Sequence, residues 1–508
     1  MLASSVELSG SEDARPMGVG ESDILDVLIV GAGISGISAA CHLERTCPDH
    51  SYLIVEARNA VGGTWDLFRY PGVRSDSDMY TLGFGFRPWT DARAIADGET
   101  ILNYVRATAD EYGLAQHIRF GERLCEAHWD TPSACWTAVT ENDEGEQRRR
   151  ARMLVMCAGY YNYDTPHRPD FPHEADFQGR IVHPQHWPDD LDYADQRVVV
   201  IGSGATAMTL VPAMAARAAS MTLLQRSPTY VIASRAEDRL ARALLRWFPA
   251  RAVYAALRWR NVQIQRFFYA LARRRPDAVR RILIRRVAHA LTPDYDVASH
   301  FTPRYQPWDQ RLCLIPDADL LKSIRRGQTQ VVTDQIERFT PTGIRLASGE
   351  HLDADLIVTA TGLQLQWMGG VALHVDGVPV DFANTLTYKG MMYSNVPNLV
   401  HTFGYVNASW TLRADLTSRY LCRILGHMRN TGTTIATPIP DAQVLGAPKR
   451  AWIEDFTPGY MRRAMHLFPR QGSANPWRNT QNYAEDRKLA RGRIDDGTLR
   501  FAGPATAT

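Results

Sequence analysis

Two four-residue runs of unbroken hydrophobic positions each feed a glycine-rich turn in this 508-residue chain. Val27-Leu28-Ile29-Val30 enters Gly31-Ala32-Gly33-Ile34-Ser35-Gly36 and an alanine-rich stretch reaching Leu43. Val198-Val199-Val200-Ile201 enters Gly202-Ser203-Gly204-Ala205-Thr206-Ala207 and then the stretch from Leu210 to Ala216. A continuous apolar run predicts a strand buried on both faces, as in a parallel sheet covered by helices. Strand, glycine turn and helix occurring twice predict an α/β protein with two Rossmann-like dinucleotide-binding domains. A third run, Asp355-Leu356-Ile357-Val358-Thr359, leads into Ala360-Thr361-Gly362. It predicts a discontinuous first domain, with the second inserted and the chain returning to finish the first sheet.

The expected division is a flexible tail over 1–23, the first part of the first nucleotide domain over 24–165, and the second over 166–350. Residues 351–508 complete the first domain and form the C-terminal region. Within the second domain, 239–291 is expected to be a mostly helical insertion. Between Arg239 and Arg286 it carries more than a dozen arginines, interleaved with Trp247, Phe248, Tyr254, Trp259, Phe267 and Phe268. At helical spacing this pattern has two readings. One is a cap that packs on the second domain with its arginines solvated; the other is a peripheral docking surface for anionic lipid. The tail lacks the basic and apolar blocks of a signal peptide. Val27 to Cys41 is uncharged but too short and too interrupted by glycine to span a membrane.

Composition narrows the class. Hydrophobic residues at 45% and charged residues at 22% fit a globular protein, and a net charge of +2 offers no overall attraction for nucleic acid. The seven cysteines include no C-x-x-C pair. That argues against a zinc ribbon, a disulfide scaffold or a dithiol reductase, and no metal site is expected. A cytoplasmic location fits this cysteine usage.

The two fingerprints differ in a way that separates their ligands. After the first, the strand Tyr52-Leu53-Ile54-Val55 ends in Glu56, where a carboxylate can accept hydrogen bonds from a ribose diol. After the second, Met221-Thr222-Leu223-Leu224 ends in Gln225-Arg226-Ser227. A carboxylate there would repel a 2′-phosphate, whereas the Arg226 guanidinium can bind it, so NADPH is expected over NADH. In both turns the glycines let the backbone approach a pyrophosphate at a helix N-terminus.

Two longer motifs carry a family resemblance. Gly62-Gly63-Thr64-Trp65, Tyr70-Pro71-Gly72 and Asp76 stand at the spacing of one Baeyer–Villiger monooxygenase signature, and Phe177, Gly179, His183, Trp187 and Pro188 at that of another. The chain resembles this class of flavoprotein monooxygenases from about Asp26 to Phe501, and within it the bacterial ethionamide-activating branch. The resemblance implies FAD and NADPH as cofactors and a C4a-peroxyflavin that inserts one atom of O2 beside a ketone carbonyl, with sulfide oxidation as a side activity. It also implies a catalytic Arg311 supported by Asp76. Many relatives have Lys directly before that arginine; here the residue is Gln310, which leaves more of the phosphate contact to Arg226. Cofactor contacts are expected from Gly31, Gly33, Ser35, Gly36, Glu56, Gly63, Thr64, Trp65, Arg74 and Asp76 on the flavin side. On the nicotinamide side they are expected from Gly202, Ser203, Gly204, Ala205, Thr206, Arg226 and Ser227, with Thr361 and Gly362 at the return. Phe177, Gly179, His183 and Trp187 are expected to be structural, His183 near a hinge. The alternative is a flavin N- or S-oxygenase that lacks Baeyer–Villiger activity.

Overall fold

The computed structural model describes residues 24–503, so the expected N-terminal tail lies outside the described residues. The first sheet is built from β1 (Leu25–Val30), β2 (Tyr52–Glu56), β3 (Ile118–Phe120), β4 (Arg123–Asp130), β5 (Cys135–Asn142) and β6 (Gly145–Met156). Strand β6 shows why one sequence pattern cannot serve a whole strand. Its first part alternates in burial while it pairs antiparallel with β5 in a hairpin. Met153 to Met156 are then all buried, just where the strand enters the parallel sheet beside β1.

The second sheet holds β7 (Arg180–Val182), β8 (Arg197–Ile201), β9 (Ser220–Gln225), β10 (Thr329–Thr333) and β11 (Leu356–Thr359). All five are parallel, in the order β10-β9-β8-β11-β7. Here the structure corrects the sequence expectation. The run Leu356–Thr359 does not finish the first sheet; it lies between β8 and β7 in the second. The first sheet is instead rejoined by β12 (Ala372–Val375), extended by β13 (Val378–Pro379), and by β14 (Leu399–His401). Strand β12 adds to β4 and β14 to β6, both parallel. The return therefore falls after Gly362, not at residue 351.

Two chain segments cross between the sheets, one after β6 and one after β11, and they are hydrogen-bonded to each other. Asn162 N–H donates to Gln364 O at 2.8 Å, and Gln366 N–H donates to Tyr160 O at 3.0 Å.

Helix α1 (Ile34–Thr46) follows the first glycine turn and α2 (Ala205–Met214) the second. The insertion is helical as expected, forming α3 (Arg239–Leu244), α4 (Ala250–Arg274) and α5 (Pro276–Ala290). It does not pack on the second domain alone. Val253, Tyr254 and Leu257 of α4 join the core of the first domain with Tyr80, Phe84 and Tyr104. Val287 of α5 packs into the second domain's core, while Val279 and Leu283 cluster with Tyr230 and Leu312. The insertion is thus a strap across both domains.

The strap is fastened by Asp415, on α6 (Trp410–Thr431), which is buried. Its carboxylate accepts from Arg258 of α4 at 3.1 Å, from Gly85 N–H at 2.7 Å and from Ser38 of α1 at 3.2 Å. Burial opposes its charge, but the neighbouring His42 ring, 3.5 Å away, and the Arg258 guanidinium outweigh it, so the carboxyl is held below its usual range. A depressed folded value means stabilisation that is present above the unfolded pKa of about 3.9 and lost as pH falls through the folded value. Limited proteolysis within α4 should therefore accelerate below about pH 4, and Asp415→Asn should show fast cleavage at neutral pH. Cleavage independent of both would separate Asp415 from the docking of α4.

Other arginines of the insertion are likewise held by carboxylates: Arg242 by Glu237, Arg260 by Asp238, and Arg273 by Asp309 at 2.8 Å. These ion pairs lend no support to the lipid-docking reading, although Trp247, Trp259 and Phe267 of the insertion stand exposed. Among the described residues, no helix is long and apolar enough to cross a membrane.

Candidate active site

A cavity of about 1230 Å³ lies between the two sheets, lined by both glycine turns, both crossing segments and residues from the C-terminal region. That exceeds the usual range of roughly 300–1,000 Å³ for a single small-ligand cleft.

The two turns are built alike. Gly31 has φ +104°, and a Cβ there would stand 2.6 Å from the carbonyl oxygen of Cys157, just past β6. Gly202 has φ +135°, and a Cβ there would stand 2.3 Å from the carbonyl oxygen of Ala360, just past β11. Each turn is pressed against the end of a neighbouring parallel strand, where only glycine fits. Gly33 and Gly204 cap α1 and α2 without any side-chain hydrogen bond, and neither first turn holds an acidic residue. The leading N–H groups of both helices are left for an anion.

Gly33, Ser35, Gly63, Thr64 and Trp65 line the cavity beside the first turn. Gly36 does not; it packs under the carbonyl of Gly31. The Glu56 carboxylate, at the end of β2, accepts from Ala32 N–H at 2.6 Å and Arg58 N–H at 2.9 Å. Burial pushes its carboxyl upward despite those donors. Further donors, such as a ribose diol, would favour the ionised form.

At the second turn, Ser203, Gly204, Ala205 and Thr206 face the cavity. Beyond β9 the side chains of Gln225 and Arg226 diverge. Gln225 is buried and donates to His300 O and Thr333 Oγ1, whereas Arg226 and Ser227 are exposed on the cavity rim. Arg226 makes no ion pair among the described residues. Thr361 and Gly362 line the wall at the second crossing, Thr361 donating to His167 O at 2.7 Å.

Arg311 and Asp76, 235 residues apart, meet on the wall: Arg311 Nε donates to Asp76 Oδ2 at 2.5 Å. Arg311 is half-buried, with about 35% of its side chain exposed on the cavity wall. Burial works against its charge, yet the Asp76 carboxylate prevails and holds the guanidinium protonated. The hydroxyls of Tyr160 and Tyr161 share a hydrogen bond beside it, and Tyr160 stacks on Trp410 with centroids 4.9 Å apart. Tyr460 completes this wall. Burial raises all three phenols, that of Tyr460 beyond the usual range, so they remain neutral donors at physiological pH. Arg74 also borders the cavity, but its guanidinium is spent on Asp319 at 2.5 Å, tying the flavin-side loop to the second domain.

The fixed positions of the second motif lie off the cavity, although His186 between them lines it. Phe177 packs with Phe339, Gly179 sits where a Cβ would strike Asp355 O at 2.4 Å, and Trp187 packs against the second core. His183 Nδ1 accepts from Gln185 N–H at 3.1 Å, and burial lowers its pKa to about 4, leaving the ring neutral. The amide of Gln185 in turn donates to Asn162 O and Tyr163 O, both at 2.9 Å. The motif thereby clamps the first crossing segment.

The residues fit two dinucleotides: two uncapped helix N-termini, a carboxylate beside one and an unpaired guanidinium beside the other. Solved structures share this fold. A steroid monooxygenase bound to NADP aligns with 95% of this chain and 100% of its own at TM-score 0.75 and 23% identity. Cyclohexanone monooxygenase in an open form aligns over the same shares at TM-score 0.76 and 18% identity. Among curated proteins, the FAD-containing monooxygenase EthA of Mycobacterium tuberculosis is 52% identical over 481 residues, spanning 94% of this chain and 98% of EthA. The probable FAD-binding monooxygenase AlmA of Acinetobacter baylyi is 46% identical over 94% and 96% of the two chains. With residues 25–369 also matching the model of that family, the chain belongs to the flavin-binding monooxygenase-like proteins.

Proposed function

We propose that the chain is an FAD- and NADPH-dependent monooxygenase of the Baeyer–Villiger type, converting ketones to esters or lactones. The observation that carries this reading is the Arg311–Asp76 pair, half-buried on the wall of the cavity between the two turns. The first turn and Glu56 hold FAD; the second turn and Arg226 hold NADPH. When bound and reduced, the flavin supplies activated oxygen from O2. Arg311 holds a fixed positive charge toward the ketone oxygen, where negative charge grows as the carbonyl is attacked. Asp76 orients that guanidinium, and the neutral Tyr160 and Tyr460 hydroxyls line the same wall as hydrogen-bond donors. The test is product analysis over a panel of ketones and sulfides, comparing product formed with NADPH consumed. Esters in proportion to NADPH support the reading, whereas sulfoxides without any ester assign the alternative N- or S-oxygenase.

The cofactor assignment has its own test. Arg226→Ala should raise KM for NADPH by roughly ten- to a hundredfold, the worth of one charge-assisted contact to the 2′-phosphate. KM for NADH should stay unchanged. Equal effects on both would remove Arg226 from the phosphate site.

A further inference from the structure

A second concavity, of about 580 Å³, shares no lining residue with the first. It runs between α4, α6, the last turn of α1 and α7 (Tyr483–Arg491). Six arginines line it against one carboxylate, Asp415, and that carboxylate is already taken by Arg258. The other five are Arg45, Arg251, Arg266, Arg419 and Arg487. All five are exposed, and none makes an ion pair among the described residues. They come from four helices that meet only in the folded chain, so this is not the solvated face of one amphipathic helix.

The walls between these charges are apolar. Tyr254, Val262 and Leu416 are buried along them, and Phe86 carries Arg45 over its ring at 5.1 Å. Trp259 stands at the rim with about 65% of its surface exposed. Like charges gathered around low-dielectric walls focus a positive potential into the concavity. Guanidinium groups match phosphate oxygens bidentately, and the volume suits one small ligand.

We propose that this groove is a binding site for a phosphate ester carrying an aromatic or hydrocarbon body. The phosphate would sit among the unpaired arginines and the body along Phe86 and Val262. The same chemistry is offered by a soluble phosphorylated metabolite and by a lipid headgroup.

The experiment is calorimetric titration of the flavin-loaded protein, saturated with NADP+, with naphthyl phosphate at low salt. Inorganic phosphate and naphthol serve as the two halves of the probe. One saturable site is expected, tighter for naphthyl phosphate than for either half. Arg251→Ala with Arg487→Ala should weaken it by roughly a hundredfold, about tenfold for each charge-assisted contact, while Arg226→Ala leaves it intact. Both groove positions are exposed, and an unchanged melting temperature checks that the variants fold. Vesicles with and without phosphatidic acid then distinguish the sources: sedimentation lost in the groove variant assigns a lipid headgroup, and its absence beside naphthyl phosphate binding assigns a soluble ester. No saturable site, or one insensitive to the groove variants, overturns the proposal.

Discussion

Arg311→Ala should abolish ester formation from a ketone while leaving the protein folded and yellow. The guanidinium lies on the cavity wall, fixed by Asp76 with part of its surface left open, whereas Arg74 is paired to Asp319. A preorganised donor to a developing oxyanion is worth about 3–4 kcal/mol, so the loss should be on the order of a hundred- to a thousandfold in kcat. Flavin reduction by NADPH should slow far less, because binding of the nicotinamide cofactor rests on the second turn and Arg226. Asp76→Ala should move ester formation in the same direction by a smaller factor, since it misorients the guanidinium without removing it. Stopped-flow absorbance of the flavin, read beside product yield, separates the two half-reactions. Equal losses in both would show that Arg311 serves cofactor binding alone.

The largest effect on stability is expected at Arg413, which does not itself line the cavity. Its side chain is about 1% exposed and meets Asp486, about 2% exposed, at 2.6 Å. Asp486 also accepts from Tyr405 at 2.8 Å, and Arg413 donates to Lys389 O at 3.1 Å. The pair joins α6 to α7 beneath the flavin-side core. Arg413→Met removes one charge and leaves the other buried without its partner, which typically costs about 3–5 kcal/mol. The melting temperature should fall by roughly 3–5 °C, because the unfolding entropy of a chain this long is about 1 kcal/mol/K. Adding Asp486→Leu should recover part of the loss, because the stranded carboxylate is then gone. A single variant that melts like the parent would mean that water reaches Asp486.

Both glycine turns were legible because each feature has a local physical cause: an apolar strand, a glycine pressed on a carbonyl, and a helix left uncapped. The contrast between Glu56 and Arg226 was legible for the same reason, since both stand at the end of the second strand of their unit. The run Leu356–Thr359 was recognised as a strand but assigned to the wrong sheet. Four buried apolar residues read the same in either parallel sheet, and only long-range pairing with β8 and β7 decides between them. The insertion failed in a related way. Its apolar face was evident from helical spacing, but the partner of that face was not, and α4 packs on the first domain.

Tyr160, Tyr161 and Tyr460 were missed altogether. They come together with Arg311 from segments 300 residues apart, and no spacing announces them. A weak signal existed in Gly159-Tyr160-Tyr161, two aromatics directly after a glycine at the end of β6, the position where α/β sheets place ligand contacts. Arg74 shows what a motif position leaves out: it borders the cavity as expected of a cofactor contact, and its charge also ties the two domains together through Asp319.

The most direct measurement is a reaction of the purified enzyme with a long-chain linear ketone, NADPH and isotopically labelled O2, followed by mass spectrometry of the products. The account predicts an ester carrying a single labelled oxygen in the new C–O–C linkage, one molecule per NADPH consumed, and none from Arg311→Ala. NADPH oxidation that yields only hydrogen peroxide or sulfoxides across ketone and sulfide substrates alike, with no labelled ester, would contradict it.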